Sequence, residues 1–405
     1  MVLAQSSLEL IALRGGIGAV PGVKLAGVHA GIKTRKRDLA LIAFDAPQHC
    51  ASVVTTNEIK AAPVLLSARH LAESATTRAI VCNSGCANAC TGERGERDAM
   101  ATARQAAALL GIAPAEVVVA STGVIGVPLP VDRVQRGLER ALAHLDFGGK
   151  AASDAAEAIM TTDRVPKLAA YAFYARDRRY VVGGMAKGSG MLAPNMATML
   201  AFIATDYPLS RGALAHLLVQ ACDESFNMIS VDGDMSTNDA VYAFAPATSN
   251  GSEVPIECVQ ALRAVCLDLA RTMVADGEGA TKTLEVRVSE AVDVAQARAI
   301  ARAVLNSNLV KTALYGEDPN WGRIIAAAGA ARVGLDPQQW TLEVNGKSWI
   351  GRGCVELLSE AEAHRELEPS SISIGLKLGL GAAAATGWGC DLSRDYVRIN
   401  ASYRT

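Results

Sequence analysis

Hydrophobic and polar positions follow two different periods along the chain, and they predict both helices and strands. Apolar residues that recur once per helical turn indicate helices, whereas short apolar or strictly alternating runs indicate strands. Two neighbouring strand patterns flank the polar turn from Arg176 to Arg178, which predicts a hairpin. Helices are predicted at 96–111, 131–145, 153–161, 209–224, 256–274 and 292–305. Strands are predicted at 116–120, 169–175, 179–185, 199–205, 284–288, 371–378 and 396–399.

The alternation of the two element types predicts an α/β to α+β fold with mixed sheets. Half of the 405 residues are apolar and 20% are charged, which excludes a disordered chain. No apolar window reaches the ~18 residues of a membrane helix, and the first residues lack the early positive charge of a signal peptide. Nine cysteines in such a chain predict free thiols and a cytoplasmic protein.

The charge balance and the loops indicate a small-molecule site. Thirty-nine basic and 41 acidic residues leave a net charge of −2, so no basic face is predicted to bind nucleic acid. Glycine-rich polar loops allow a backbone to approach a ligand closely, and this chain has several such segments between its predicted elements. They are 83–92, 121–126, 187–198, 232–239, 276–282, 316–323 and 387–391.

Several common catalytic motifs are absent. The spacing of a phosphate-binding P-loop is missing, and only 21 residues follow the glycine-rich run at 379–384, too few for a dinucleotide-binding unit. Cys82, Cys86 and Cys90 are spaced four apart, unlike a zinc site, and no histidine lies in a glycine-rich segment. We therefore predict no metal and no cofactor, and an enzyme of this sequence would need an acid–base group other than histidine.

One arrangement needs no histidine. A threonine made N-terminal by backbone cleavage is activated by its own α-amine, whose ordinary pKa is ~7.7–8.0. Ala197-Thr198, followed by the predicted strand at 199–205, fits this pattern. Threonine before a strand is common, so the pattern alone is weak and favours an ordinary structural role.

The segment KGSGMLAPNMATML at 187–200 resembles the self-cleavage segment of the ornithine acetyltransferase family, also called glutamate N-acetyltransferase. The chain differs from the family pattern at Cys86, where an asparagine is expected. Because a thiol is a poorer hydrogen-bond partner than an amide, we expect a weakened loop contact there. Further family motifs follow in order along the chain: TTNEIKAAPV, NSGCANACTG, ASTGVIG, EAIMTTD, SFNMISVDGDMSTND, DGEGATK, GEDPNWGR and WGCDLSRDYVRINASYRT.

The resemblance implies a layered αββα-type fold and an enzyme of arginine biosynthesis. Cleavage between Ala197 and Thr198 would give an alpha chain, 1–197, and a beta chain, 198–405, in a heterotetramer of paired chains. Thr198 would take the acetyl group from N2-acetylornithine and pass it to glutamate in a ping-pong cycle. Some members of the family also use acetyl-CoA as donor, and the sequence does not separate one activity from two.

The resemblance also assigns residues. Thr122 and Gly123 would stabilise the oxyanion, Lys187 would pair with an α-carboxylate, and Glu278 with the ornithine ammonium. By residue type alone, Lys187 and Glu278 would be solvated loop residues and the C-terminal residue would be frayed. The complete set of expected substrate contacts is Thr161 (preferred over Thr162), Lys187, Thr198, Glu278, Asn400 and Thr405.

Two other functions remain open at this point. A self-cleaving N-terminal-nucleophile aminopeptidase would use water in place of glutamate as the acyl acceptor. A non-catalytic amino-acid-binding protein would keep its chain intact and show no turnover.

Overall fold

The computed structural model describes residues 10–192, 199–247 and 254–402, and its strands and helices are numbered here in chain order. The strands are β1 (Ile11–Ala12), β2 (Val23–Val28), β3 (Leu39–Val54), β4 (Thr77–Cys86), β5 (Val117–Val124), β6 (Lys167–Ala175), β7 (Arg178–Lys187), β8 (Leu200–Thr205), β9 (Ile229–Ser230), β10 (Ala240–Pro246), β11 (Thr283–Ala291), β12 (Thr341–Val344), β13 (Lys347–Gly351), β14 (Val355–Glu356), β15 (Ser371–Lys377) and β16 (Ala383–Cys390). The helices are α1 (Ala62–Glu73), α2 (Gly92–Leu110), α3 (Val131–Ala143), α4 (Gly148–Ile159), α5 (Arg211–Glu224), α6 (Ile256–Ala275), α7 (Val294–Leu305), α8 (Asn308–Tyr315), α9 (Trp321–Ala330), α10 (Glu360–Arg365) and α11 (Arg394–Ser402).

The strands form two mixed sheets. The first has the order β1-β6-β7-β8-β10-β3-β4-β5, with β2 also paired to β3. In it, β8 runs antiparallel to β7 and parallel to β10, and β10 runs antiparallel to β3. Strands from beyond residue 199 therefore lie between strands from the first half of the chain. The second sheet has the order β14-β13-β12-β15-β11-β16-β9.

Alternation of buried side chains along the strands explains the layers. In β8, Leu200 and Phe202 pack in the cluster that includes α4, whereas Ala201 and Ile203 pack in the cluster of α5 and α6. Both faces of the first sheet are thus covered, which accounts for its nearly continuous apolar strands. The second sheet packs one face, including Val286, against α7. The predicted α+β arrangement of mixed sheets and helices in layers is confirmed.

Most predicted elements are present, including the hairpin of β6 and β7, but one strand prediction is wrong. The segment 396–399 lies inside α11, because the Ser393 hydroxyl accepts the Tyr396 backbone N–H at 3.3 Å and Asp395 occupies the first turn. Both features stabilise a helix N-terminus. The helix predicted at 153–161 is displaced: α4 begins earlier, at Gly148, and ends at Ile159, which leaves Thr161 in the turn that follows.

Three of the glycine-rich segments contain four strand residues each, and the segment 187–198 begins with the last residue of β7. Residues 83–86 belong to β4, 121–124 to β5, and 387–390 to β16. A Cβ at Gly387 or Gly389 would lie 2.7 or 2.9 Å from the Leu305 side chain. These glycines therefore allow α7 to pack closely on the strand. In the sequence, glycines with this packing role cannot be distinguished from the glycines of a loop.

No helix in the described ranges is long and apolar enough to cross a membrane.

Candidate active site

A cavity of about 120 Å³ opens where β5 and β7 end. The turn after α4, the loop after α6 and the helix α11 close its other sides. The structure therefore brings together every expected site residue that lies in the described ranges. The lining residues are Ala87, Thr122, Gly123, Ile125, Thr161, Thr162, Lys187, Gly190, Met191, Ser236, Asn238, Glu278 and Asn400.

Lys187, the last residue of β7, joins two sides of the cavity. Its Nζ donates to Thr161 Oγ1 at 2.9 Å and to Thr122 Oγ1 at 3.4 Å. The residue is only 3% exposed, so it is not the solvated loop lysine that its residue type alone would suggest. Thr162 instead shares a 2.7 Å hydrogen bond with the Ser189 hydroxyl, so of the two adjacent threonines Thr161 is the partner of the lysine.

Gly123 has no room for a side chain. It lies near the end of β5, beside the parallel strand β4, with a φ of +128°. A Cβ there would lie 2.4 Å from the carbonyl carbon of Gly85. Backbone conformation and close packing therefore both favour glycine next to the buried Thr122.

Glu278 and Asn400 meet in the wall of the same cavity. The Asn400 amide donates to Glu278 Oε2 at 2.7 Å, and the Glu278 backbone N–H donates to the Ser189 carbonyl at 2.7 Å. The Glu278 carboxyl group lies against Gly190, where a Cβ would come within 2.4 Å of its Cδ. The missing side chain at 190 thus leaves space for a carboxylate that is 9% exposed.

A buried ion network that the sequence did not reveal supports these groups. Lys167, fully buried, donates to Asp163 Oδ1 and Asp276 Oδ2 at 2.7 Å each. Asp163 also accepts the Gly188 backbone N–H at 2.7 Å and lies 3.9 Å from Lys187 Nζ. Burial opposes ionisation of Asp163, but the two lysines and these hydrogen bonds outweigh it and lower its pKa to about 2.

Two residues of the 232–239 loop were not singled out from the sequence. Asn238 is buried, and its amide donates to the carbonyls of Ala87 at 2.7 Å and Ser121 at 2.8 Å. Asp239 is 1% exposed, and burial raises its pKa to about 8. The glycine-rich, polar composition of the loop indicated that it belongs to a site. The burial of Asn238 and Asp239 and their partners in distant segments are visible only in the fold.

The thiol of Cys86 makes one hydrogen bond, although the sequence predicted a weakened contact there. The Cys86 thiol donates to the Val127 carbonyl at 3.3 Å, so the loop keeps a contact at this position. Ala197, Thr198 and Thr405 lie outside the described residues. Within the described ranges, no three His, Cys, Asp or Glu side chains are grouped so that they could hold a metal ion.

A buried ammonium group between two hydroxyls, in the same cavity as a carboxylate, suits an enzyme that acts on small charged compounds. The ArgJ family profile matches residues 24–405, and the chain belongs to the ArgJ family. This confirms the resemblance drawn from the motifs. The arginine biosynthesis bifunctional protein ArgJ of Symbiobacterium thermophilum is 49% identical over 402 residues, 97% of this chain and 99% of that protein. Its namesake from Thermosynechococcus vestitus is 44% identical over 415 residues, again 97% and 99% of the two chains.

One solved structure completes the comparison. The ornithine acetyltransferase of Mycobacterium tuberculosis, crystallised with ornithine, is 44% identical and aligns with 46% of this chain and 98% of its own, at a TM-score of 0.43. Family membership over nearly the whole chain identifies an acyltransferase of arginine biosynthesis. The aminopeptidase alternative is not favoured.

Proposed function

We propose that this chain transfers an acetyl group from N2-acetylornithine to glutamate through an acetyl ester on Thr198. The observation that supports it best is the convergence of Lys187 on Thr122 and Thr161 in the same cavity that Glu278 and Asn400 close. An amino-acid substrate carries a carboxylate and an ammonium group. A buried lysine and a carboxylate in one cavity can bind them in a fixed orientation.

The proposed cycle begins with self-cleavage between Ala197 and Thr198, which gives chains 1–197 and 198–405. The freed α-amine accepts the proton of the Thr198 hydroxyl as that oxygen attacks the acetyl carbonyl. Collapse of the tetrahedral intermediate releases ornithine and leaves acetyl-Thr198. The glutamate amine then attacks this ester, and N-acetylglutamate departs as the threonine hydroxyl is restored.

Each step forms a tetrahedral oxyanion, which the Thr122 hydroxyl and the Gly123 backbone N–H would stabilise. The Lys187 ammonium group, 3.4 Å from Thr122 Oγ1, adds positive charge beside them. We assign Lys187 and Thr161 to the substrate carboxylate and Glu278, held by Asn400, to the ornithine ammonium. Thr405, with its terminal carboxylate, is proposed as a further substrate contact.

Mass measurement of the denatured protein tests the proposal first. We expect two fragments, the second beginning at Thr198, and a mass increase of one acetyl group on that fragment after incubation with N2-acetylornithine. Addition of glutamate should remove the acetyl group and yield N-acetylglutamate. A chain that stays intact and binds N2-acetylornithine without turnover would instead support the binding-protein alternative.

A second activity is suggested by the word "bifunctional" in the names of the relatives. We infer that the same threonine also accepts acetyl from acetyl-CoA, which is a substrate here and not a resident cofactor. Incubation with acetyl-CoA alone should then acetylate the fragment that begins at Thr198. We further propose that the two chains assemble as a heterotetramer, testable by native mass, and that the enzyme works in the cytoplasm.

A further inference from the structure

The 232–239 loop holds the chain on the N-terminal side of the cleavage segment. Asp232 accepts the backbone N–H of Met191 at 2.6 Å and that of Leu192 at 2.7 Å, one on each carboxylate oxygen. The Val231 N–H donates to the Leu192 carbonyl at 2.8 Å. Leu192, itself buried, is thus fixed through both of its backbone polar groups.

The other end of the same loop holds the chain on the C-terminal side. Asp239 Oδ1 accepts the backbone N–H of Met199 at 3.0 Å, and the Ala240 N–H donates to the Met199 carbonyl at 3.1 Å. Met199 directly follows Thr198 in the sequence. Two carboxylates seven positions apart in one loop therefore bind the chain immediately before and after residues 193–198.

The loop is itself attached to three other parts of the fold. The Tyr396 hydroxyl donates to Asp232 Oδ2 at 3.2 Å, and the Thr55 hydroxyl donates to the Ser236 carbonyl at 2.8 Å. The Asn238 amide donates to the carbonyls of Ala87, just after β4, and Ser121, within β5. The two carboxylates are consequently fixed with respect to β3, β5 and α11. They can impose a defined position on the backbone that they bind.

We propose that Asp232 and Asp239 are positioning residues for self-cleavage, which hold the chain at Leu192 before the scissile bond and at Met199 after it. This inference rests on the proposed function, because it assumes a cut at that bond. In the cut, the Thr198 hydroxyl oxygen forms an ester with the Ala197 carbonyl carbon as the peptide C–N bond breaks and the amine takes the proton. Water then hydrolyses the ester. Both carboxylates act through neighbouring backbone N–H groups.

The test compares self-cleavage of freshly translated full-length chains by denaturing electrophoresis over time. Measured above about pH 8, where Asp239 is ionised, Asp239→Asn and Asp232→Asn should each slow cleavage by about 10- to 100-fold, since small misplacement of reacting atoms has effects of that size. Asp234→Asn is the matched control, because it removes the same charge from an exposed position in the same loop. It should cleave at the wild-type rate.

The pH dependence separates positioning from a general structural role. An ionised carboxylate accepts an N–H bond more strongly than a neutral one, and before the cut Thr198 has no free α-amine to titrate. The charged group acting on Asp239 is Lys187, and burial raises the pKa of Asp239 to about 8. The ratio of wild-type to Asp239→Asn cleavage rates should therefore increase as the pH rises through about 8.

Folding is checked by circular dichroism and thermal unfolding. Folded Asp239→Asn and Asp232→Asn chains that cleave at the wild-type rate would overturn the inference, as would a rate ratio independent of pH. If Asp239→Asn does not fold, the cleavage rate of Asp232→Asn tests the inference. If neither variant folds, both carboxylates serve the fold as a whole and the inference fails. A wild-type chain that never cleaves would contradict the proposed function itself.

Discussion

The Asn400 amide donates to the Glu278 carboxylate at 2.7 Å and so attaches the last helix of the described chain to the loop after α6. The two residues are 122 positions apart in the sequence. Asn400 is exposed, but its partner is buried at the cavity, so the helix limits how far that carboxylate can move. Recognition of the ornithine ammonium is therefore predicted to depend on α11 as well as on the loop.

Glu278→Gln should weaken the use of N2-acetylornithine. The amide keeps the shape but loses the charge, and a hydrogen bond to a charged group contributes about 1.5–3 kcal/mol, equivalent to roughly 10- to 100-fold in KM. Steady-state kinetics with each substrate varied in turn would measure this, with Glu93→Gln as a control at a carboxylate that is 92% exposed. An equal loss for glutamate would contradict the assignment.

Thr161→Val and Thr162→Val form a matched pair. The first removes the oxygen that accepts a bond from Lys187 Nζ, and the second removes only the bond to Ser189. A buried lysine with one acceptor fewer is less well oriented, so we expect kcat/KM to fall about 10-fold or more for Thr161→Val. The effect of Thr162→Val should be smaller, and the reverse order would show that the wrong threonine was preferred.

Gly123→Ala should abolish most activity, because a Cβ there collides with the Gly85 backbone and displaces the strand end. Loss of one oxyanion donor has effects of roughly 100- to 1000-fold in kcat. Gly126→Ala is the control: its φ is also positive, at +81°, but no atom lies within 4 Å of the added Cβ. Acetyl transfer by that variant should be much less affected.

Lys167→Met should destabilise the fold strongly, because it leaves the carboxylates of Asp163 and Asp276 buried without their shared cation. Removing one partner of a buried ion pair costs about 3–5 kcal/mol, measurable by denaturant unfolding. Lys150→Met, at a salt bridge whose lysine is 81% exposed, should change the free energy of unfolding by only about 0–1 kcal/mol.

Acid should destabilise the protein partly through Asp163. Its pKa is about 2 in the folded protein and ~3.9 in an unfolded chain. Because the folded value is lower, the stabilisation is present above about pH 4 and is lost as the pH falls towards 2. The free energy of unfolding should therefore fall more steeply over this range for wild type than for Asp163→Asn, and parallel slopes would contradict this.

The sequence predicted the positions of long periodic helices and strands well, but it did not predict which charged side chains are buried or which groups they contact. The hairpin around Arg176 and the helix α6 carry local patterns that the fold preserves. Lys187 and Glu278 were assigned through the resemblance, since their residue types alone suggested solvated loops. Lys167 and Asp276 were not found, because a 2.7 Å ion pair between residues 109 positions apart leaves no local pattern.

The strand order of the first sheet has a consequence for the state after a cut at Ala197. Strand β8, just beyond the cut, pairs with β7 on one side and with β10 on the other, and β10 pairs in turn with β3. Neither product could then leave without breaking two complete ladders of backbone hydrogen bonds. The cut would divide the covalent chain but not the cooperative unit, and fragments from different molecules would exchange only through unfolding.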